Sequence, residues 1–181
     1  MSHIGGGGRP LHRAFHNNGK PKTTDFLGGG ENIRSKDFMT IHNPAETFLS
    51  CLVLDGIFEQ FPRLRGGCIE QGALWVPAWL QRLDIAQQTF SKTEPALRLP
   101  LKASDYVRRQ LKFTPFPTEP VGWLIEQAGE ELFLFSSDYP HPEGGRDPLA
   151  RFEGSMPATS DAAKEKFYAS NYAEMMGMRV A

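Results

Sequence analysis

The chain has 181 residues, of which 40% are hydrophobic and 23% charged, and its formal net charge is -1. That is enough for one domain with a real core, and it excludes the concentrated basic surface of a nucleic-acid or anionic-membrane binder. No apolar run reaches the roughly 18 residues of a membrane helix, and the first residues do not read as a charged-then-apolar secretory leader. The two cysteines, Cys51 and Cys68, sit in apolar stretches. Two buried thiols in a reducing cytoplasm are expected, ahead of a disulfide.

In chain order, residues 1–42 read as a glycine-rich N-terminal loop or excursion. Gly5 to Gly8 and Gly28 to Gly30 are glycine runs, and Leu11, Ala14 and Phe15 allow a short helix between them. A second region, 43–181, carries the regular pattern. Asn43-Pro44-Ala45-Glu46 reads as an N-cap, a proline in the first turn and an acid behind it. Phe48, Leu49, Leu52, Val53, Ile57 and Phe58 then supply a buried helical stripe, bent at Asp55-Gly56 and stopped by Phe61-Pro62. Residues 64–70 suit a short buried strand, and 75–90 an amphipathic helix. Residues 104–111 suit a short helix capped by Ser104. Leu111-Lys112-Phe113-Thr114 is a strand candidate ended by Pro115 and Pro117, and 120–128 is a helix closed by Gly129. Residues 132–135, Leu-Phe-Leu-Phe, are apolar on both faces, as in a parallel sheet covered by helices. Residues 160–176 read as a helix with Ser160 as N-cap and Gly177 at its end. Alternating helices and buried strands predict right-handed βαβ units and an α/β architecture.

In such folds functional residues lie just past the C-terminal ends of strands. Those positions hold Glu70, Thr114, Ser136, Ser137, Asp138 and His141. His3, before the first glycine run, suits the tail of an earlier strand. A carboxylate and an imidazole together, Asp138 and His141, suit zinc, manganese or iron. There a carboxylate can both bind the metal and take a proton from the water that the metal acidifies. Asp-Tyr-Pro is also an ordinary turn, with the aspartate accepting backbone N–H groups. Glu70 reads equally as a ligand or substrate contact and as an anchor for the helix that follows. His12 and His16, at i and i+4, would share a helix face, but a polar surface pair is the plainer reading. His42, just before the Asn43 cap, reads as a loop histidine. Trp75, Phe116 and Tyr139 near strand ends suit an aromatic substrate, although core packing explains most such residues.

Four segments together resemble one family. They are Gly56-Ile57-Phe58-Glu59-Gln60-Phe61-Pro62-Arg63-Leu64-Arg65, the run from Glu70-Gln71-Gly72-Ala73-Leu74-Trp75-Val76-Pro77 to Asp84, Leu134-Phe135-Ser136-Ser137-Asp138-Tyr139-Pro140-His141-Pro142-Glu143-Gly144, and Asn171-Tyr172-Ala173-Glu174-Met175-Met176-Gly177-Met178. The resemblance is to the amidohydrolase-2 family, which includes aminocarboxymuconate-semialdehyde decarboxylase. It implies a (β/α)8 barrel of the TIM type, of which the chain carries the C-terminal half, about strands five or six to eight. Such barrels usually need about 250 residues, and the family's first-strand His-x-His pair occurs nowhere in this sequence.

The resemblance further implies a divalent metal ion, zinc first with manganese or iron as alternatives, and no other cofactor. Asp138 matches the last-strand aspartate, a metal ligand and proton-transfer residue. His3 is matched to a fifth-strand metal ligand, and Glu70 stands where many members have a sixth-strand histidine. The site expected is thus Asp138 and His141 for catalysis, Asp138 and His3 for the metal, and Glu70, Tyr139 and Thr114 for a small-molecule substrate. Metal-dependent hydrolysis is the first expectation, non-oxidative decarboxylation on the same scaffold the second, and a non-catalytic half barrel the third. A half barrel exposes sheet edges, so a cytoplasmic homo-oligomer is expected.

Overall fold

A computed structural model of the chain describes residues 35–139 and 145–178. The helices are α1 (Ser35–Phe38), α2 (Asn43–Leu54), α3 (Ile57–Gln60), α4 (Val76–Phe90), α5 (Ala103–Gln110), α6 (Val121–Ala128), α7 (Pro148–Ser155), α8 (Asp161–Glu165) and α9 (Asn171–Met175). A π-helical turn, Lys166–Ser170, joins α8 to α9. Two strands, β1 (Gly66–Cys68) and β2 (Leu111–Phe113), run parallel with Gly67 opposite Lys112. Phe133 adds a parallel bridge to Phe113. There the Phe113 N–H donates to the Leu132 carbonyl at 2.8 Å and the Leu134 N–H to the Phe113 carbonyl at 3.0 Å. Three parallel segments therefore lie side by side, in the α/β order expected.

The strand segments are shorter than the sequence suggests, for local reasons. The 64–70 stretch is extended only at 66–68, because Glu70 turns into the left-handed region at φ 60°. The 132–135 segment keeps a single bridge, since the Phe135 N–H leaves the sheet to meet the Phe167 carbonyl at 2.8 Å.

Alternate residues of a strand face opposite sides. Phe113 meets the rings of Trp75 and Trp79 edge-on, with centroids 5.5 and 6.0 Å away, so α4 covers that side. The other side is covered by α9. A Cβ on Gly67 would lie 2.7 Å from the Met175 sulfur, so only glycine lets α9 come this near. Lys112, fully buried, donates to the Glu131 carbonyl at 2.7 Å and to Glu174 at 2.8 Å. Behind the third segment Phe135 packs against Phe152 of α7 and Phe167, centroids 5.6 and 6.3 Å away.

The helix boundaries show where local signals decide and where tertiary partners do. Ser160 caps α8 by accepting from the Ala163 N–H, and Gly56, Gly129 and Gly177 take positive φ at helix ends. Asn43, expected as a cap, is instead the first residue of α2, with His42 in the cap position. Ser104 is not a cap: α5 starts at Ala103, and the Ser104 N–H and hydroxyl both donate to Asp84, each at 2.8 Å. Phe48 lies off the buried stripe of α2 and is 55% exposed. Cys51 is exposed rather than buried, while Cys68 is buried as expected. The expected 160–176 helix is interrupted by the π turn, and α7 has no counterpart in the sequence reading. Among the described residues no helix is long and apolar enough to cross a membrane.

Candidate functional site

Past the C-terminal ends of the three parallel segments, Glu70, Thr114, Ser136 and Asp138 line one cavity with Pro115, Phe116 and Pro117. Its volume is about 10 Å³, about what one water or one ion occupies and far below the 300 Å³ or more of a typical substrate pocket. Glu70 and Thr114 are buried, and Glu70 Oε2 and Asp138 Oδ2 are both closed off from solvent. The Thr114 hydroxyl accepts from the Glu70 N–H at 3.0 Å, tying the ends of β1 and β2 together at the cavity wall.

Glu70 and Asp138 are the non-glycine residues with positive φ among those described, at 60° and 56°. A side chain in that region costs about 1–2 kcal/mol relative to ordinary backbone. Strain of this kind persists where the surroundings over-determine it, and it concentrates at functional sites. Here both strained residues carry carboxylates, and both reach the same cavity.

The loop behind Glu70 is held from two sides. Glu119, 7% exposed, accepts the N–H groups of Ala73 at 2.9 Å, Leu74 at 3.1 Å and Phe116 at 2.8 Å. Burial raises the Glu119 pKa, and those backbone donors pull against the rise. Trp75 donates its indole N–H to the Gly72 carbonyl at 3.0 Å and stacks on His42, centroids 5.6 Å apart. Burial lowers the His42 pKa from 6.5, against the raising effect of Glu46 at 3.6 Å. Arg82 reaches the same Glu46 carboxylate from α4.

Of the residues expected at the site, the fold brings Asp138, Glu70 and Thr114 together, although they come from three separate strand ends. Tyr139, expected as a substrate contact, is 88% exposed and does not line the cavity. His3 and His141 lie outside the described residues, as do His12 and His16. Trp75 and Phe113 belong to the core, while Phe116 does line the cavity. Sequence reasoning missed Glu119. Its one signal is an isolated acid between Pro117 and Pro120, in the loop that follows a strand end.

The donor set suits a hard divalent cation in kind: two carboxylates and a hydroxyl around a space of ionic size. It is a partial set. Among the described residues no group of three or more His, Cys, Asp or Glu side chains stands ready to hold a metal.

The fold is a parallel α/β arrangement, and such folds place their chemistry at the C-terminal end of the sheet. Solved structures share the fold. The chain is similar in fold to an amidohydrolase from Mycobacterium avium subsp. paratuberculosis, with a TM-score of 0.67 and 24% identity over 82% of this chain and 38% of that one. It is similar to 5-carboxyvanillate decarboxylase from Sphingomonas paucimobilis, with a TM-score of 0.58 and 23% identity over 85% of this chain and 45% of that one. It is also similar to a dihydroxybenzoic acid decarboxylase from a Polaromonas strain, solved with manganese and the inhibitor 2-nitroresorcinol, with a TM-score of 0.58 and 20% identity over 83% of this chain and 49% of that one. The chain thus spans less than half the length of each of these proteins. No protein-family model and no curated protein matches it.

Proposed function

We propose that the chain supplies the C-terminal strands of a (β/α)8 barrel to a metal-dependent enzyme of the amidohydrolase type that hydrolyses a small carbonyl or carboxylate substrate. The observation that carries this reading is the meeting of Glu70 and Asp138, both on strained backbone, in one ion-sized cavity past the strand ends. The fold likeness to an amidohydrolase supports it.

Glu70 and Asp138 would hold a divalent cation, manganese ahead of zinc, because both donors are hard oxygens and the Polaromonas neighbour carries manganese. Bound there, such an ion would supply Lewis acidity and bring the pKa of its water from 15.7 to about 7. Asp138 takes the proton of the attacking water and returns it to the leaving group. Thr114 fixes the backbone of Glu70, so that the glutamate keeps its aim. Pro115, Phe116 and Pro117 wall the cavity and keep bulk water from the carboxylates, which strengthens every charge interaction inside. A substrate is too large for the cavity itself, so it lies outside it, with the exposed Tyr139 as a contact. His3 would add a further ligand, and a homo-oligomer would cover the outer sheet edge.

Asp138→Asn keeps the shape and removes the base. Turnover should fall by about 100-fold or more, and undiminished turnover would sink the reading. A second reading, non-oxidative decarboxylation, is favoured by the fold likeness to two decarboxylases. A panel of esters, lactones and hydroxybenzoates separates the two: acid release supports hydrolysis, CO2 release the alternative. A chain that binds no manganese and turns over nothing would support the non-catalytic half barrel.

A further inference from the structure

We propose that Glu119 is a positioning residue for the cavity: its carboxylate staples the 70–75 loop to the turn after β2 and so sets where Glu70 stands against Thr114. The proposal rests on reading the Glu70–Asp138 cavity as the functional site.

The geometry is that of a cross-link made twice. At the cavity wall, the Glu70 N–H donates to the Thr114 hydroxyl at 3.0 Å. Behind the wall, one buried carboxylate gathers backbone N–H groups from both loops, Ala73 and Leu74 from one and Phe116 from the other. Phe116 itself lines the cavity. A buried carboxylate is costly unless donors surround it, and bonds from backbone N–H to an ionised acceptor are among the stronger ones. The loop is shaped to admit it. Gly72 has φ +63°, and a Cβ there would lie 2.8 Å from Glu119 Oε1 and 2.9 Å from the Phe116 ring. The strained backbone of Glu70, two residues before Gly72, is therefore held by a bond in front and a staple behind. Glu119 touches neither the cavity nor anything bound in it. It acts through the two loops.

Amide hydrogen exchange on the full chain tests this, for the parent, Glu119→Gln and Gly72→Ala. The second variant keeps the Glu119 side chain and its charge but pushes the carboxylate off its donors, at the added cost of a side chain at φ +63°. In both, exchange at Ala73, Leu74 and Phe116 should rise about tenfold or more, and exchange at Glu70 should rise with it. The Phe113 and Leu134 amides, which bond within the sheet, should keep the parent rate. If Glu70 keeps the parent rate while Ala73 and Leu74 are freed, the staple does not reach the site and the proposal falls. A general rise that includes Phe113 and Leu134 also overturns it, since Glu119 would then serve the fold as a whole. The readout is a backbone amide, so it stands whatever Asp138→Asn does to turnover.

Discussion

The two ends of the parallel segments are built differently. At the N-terminal end, Lys112 has the Glu131 carbonyl and Glu174, and Asn171 donates to the carbonyls of Glu130 and Phe133, each at 2.7 Å. Gln110, fully buried, donates to the carbonyls of Phe61 and Leu64 at 2.9 and 3.0 Å. These bonds tie the loop after α3, α9 and the strand starts into one block, on ordinary backbone. At the C-terminal end, Glu70 and Asp138 sit on left-handed backbone and crowd two carboxylates around one small cavity. In barrel-type α/β folds the first end serves stability and the second chemistry, a division that these two ends match under the proposed function.

The largest test of that contrast lies at Lys112. Glu174→Ala would leave a buried ammonium with only the Glu131 carbonyl. It should cost about 3 kcal/mol, the low end for a broken buried pair because Glu174 is itself half exposed. Lys112→Met, similar in volume and free of charge, should stay within about 1.5 kcal/mol of the parent. Urea unfolding of both variants measures the difference, and equal losses would mean that the pair does not organise this end.

A smaller effect of opposite sign is expected at the other end. Glu70→Gly removes the left-handed penalty and should stabilise the chain by about 1 kcal/mol, while removing a carboxylate from the cavity. A loss of stability in thermal melts would show that Glu70 holds the fold rather than burdening it.

The smallest effect concerns His42, whose stacking on Trp75 links α2 to the Glu70 loop. Its folded pKa lies below 6.5, first through burial. The unfolded chain therefore takes the proton more readily, and stability falls as the pH drops below 6.5 through the lowered value. His42→Phe keeps a ring against Trp75 and should flatten that part of the stability curve, as unfolding at stepped pH would show. A curve parallel to the parent's would remove His42 from the account.

Much of this division can be read from the sequence, but unevenly. The helices α2, α4 and α6, the Ser160 cap and the glycine stops follow local signals, and they hold, Phe48 apart, because neighbours in sequence decide them. Glu70, Thr114 and Asp138 were reachable by a positional rule, the strand ends of an α/β fold. Lys112 and Glu119 were not. One reads as a solvent-facing strand residue and the other as a loop acid, and only distant partners make them buried and bonded. The same holds for Ser104, which Asp84 draws away from capping, and for the π turn, which divides a helix that periodicity presents as continuous.

The unequal burial of the two cysteines also makes the chain its own conformational probe. Cys51 faces solvent on α2, whereas Cys68 lies inside β1 with its thiol pushed by burial up to about 12. Alkylation requires thiolate and access, so a maleimide dye added to the native protein marks Cys51 alone. Cys68 takes label only when the sheet opens, and the second adduct on an intact-mass spectrum becomes a clock for that opening.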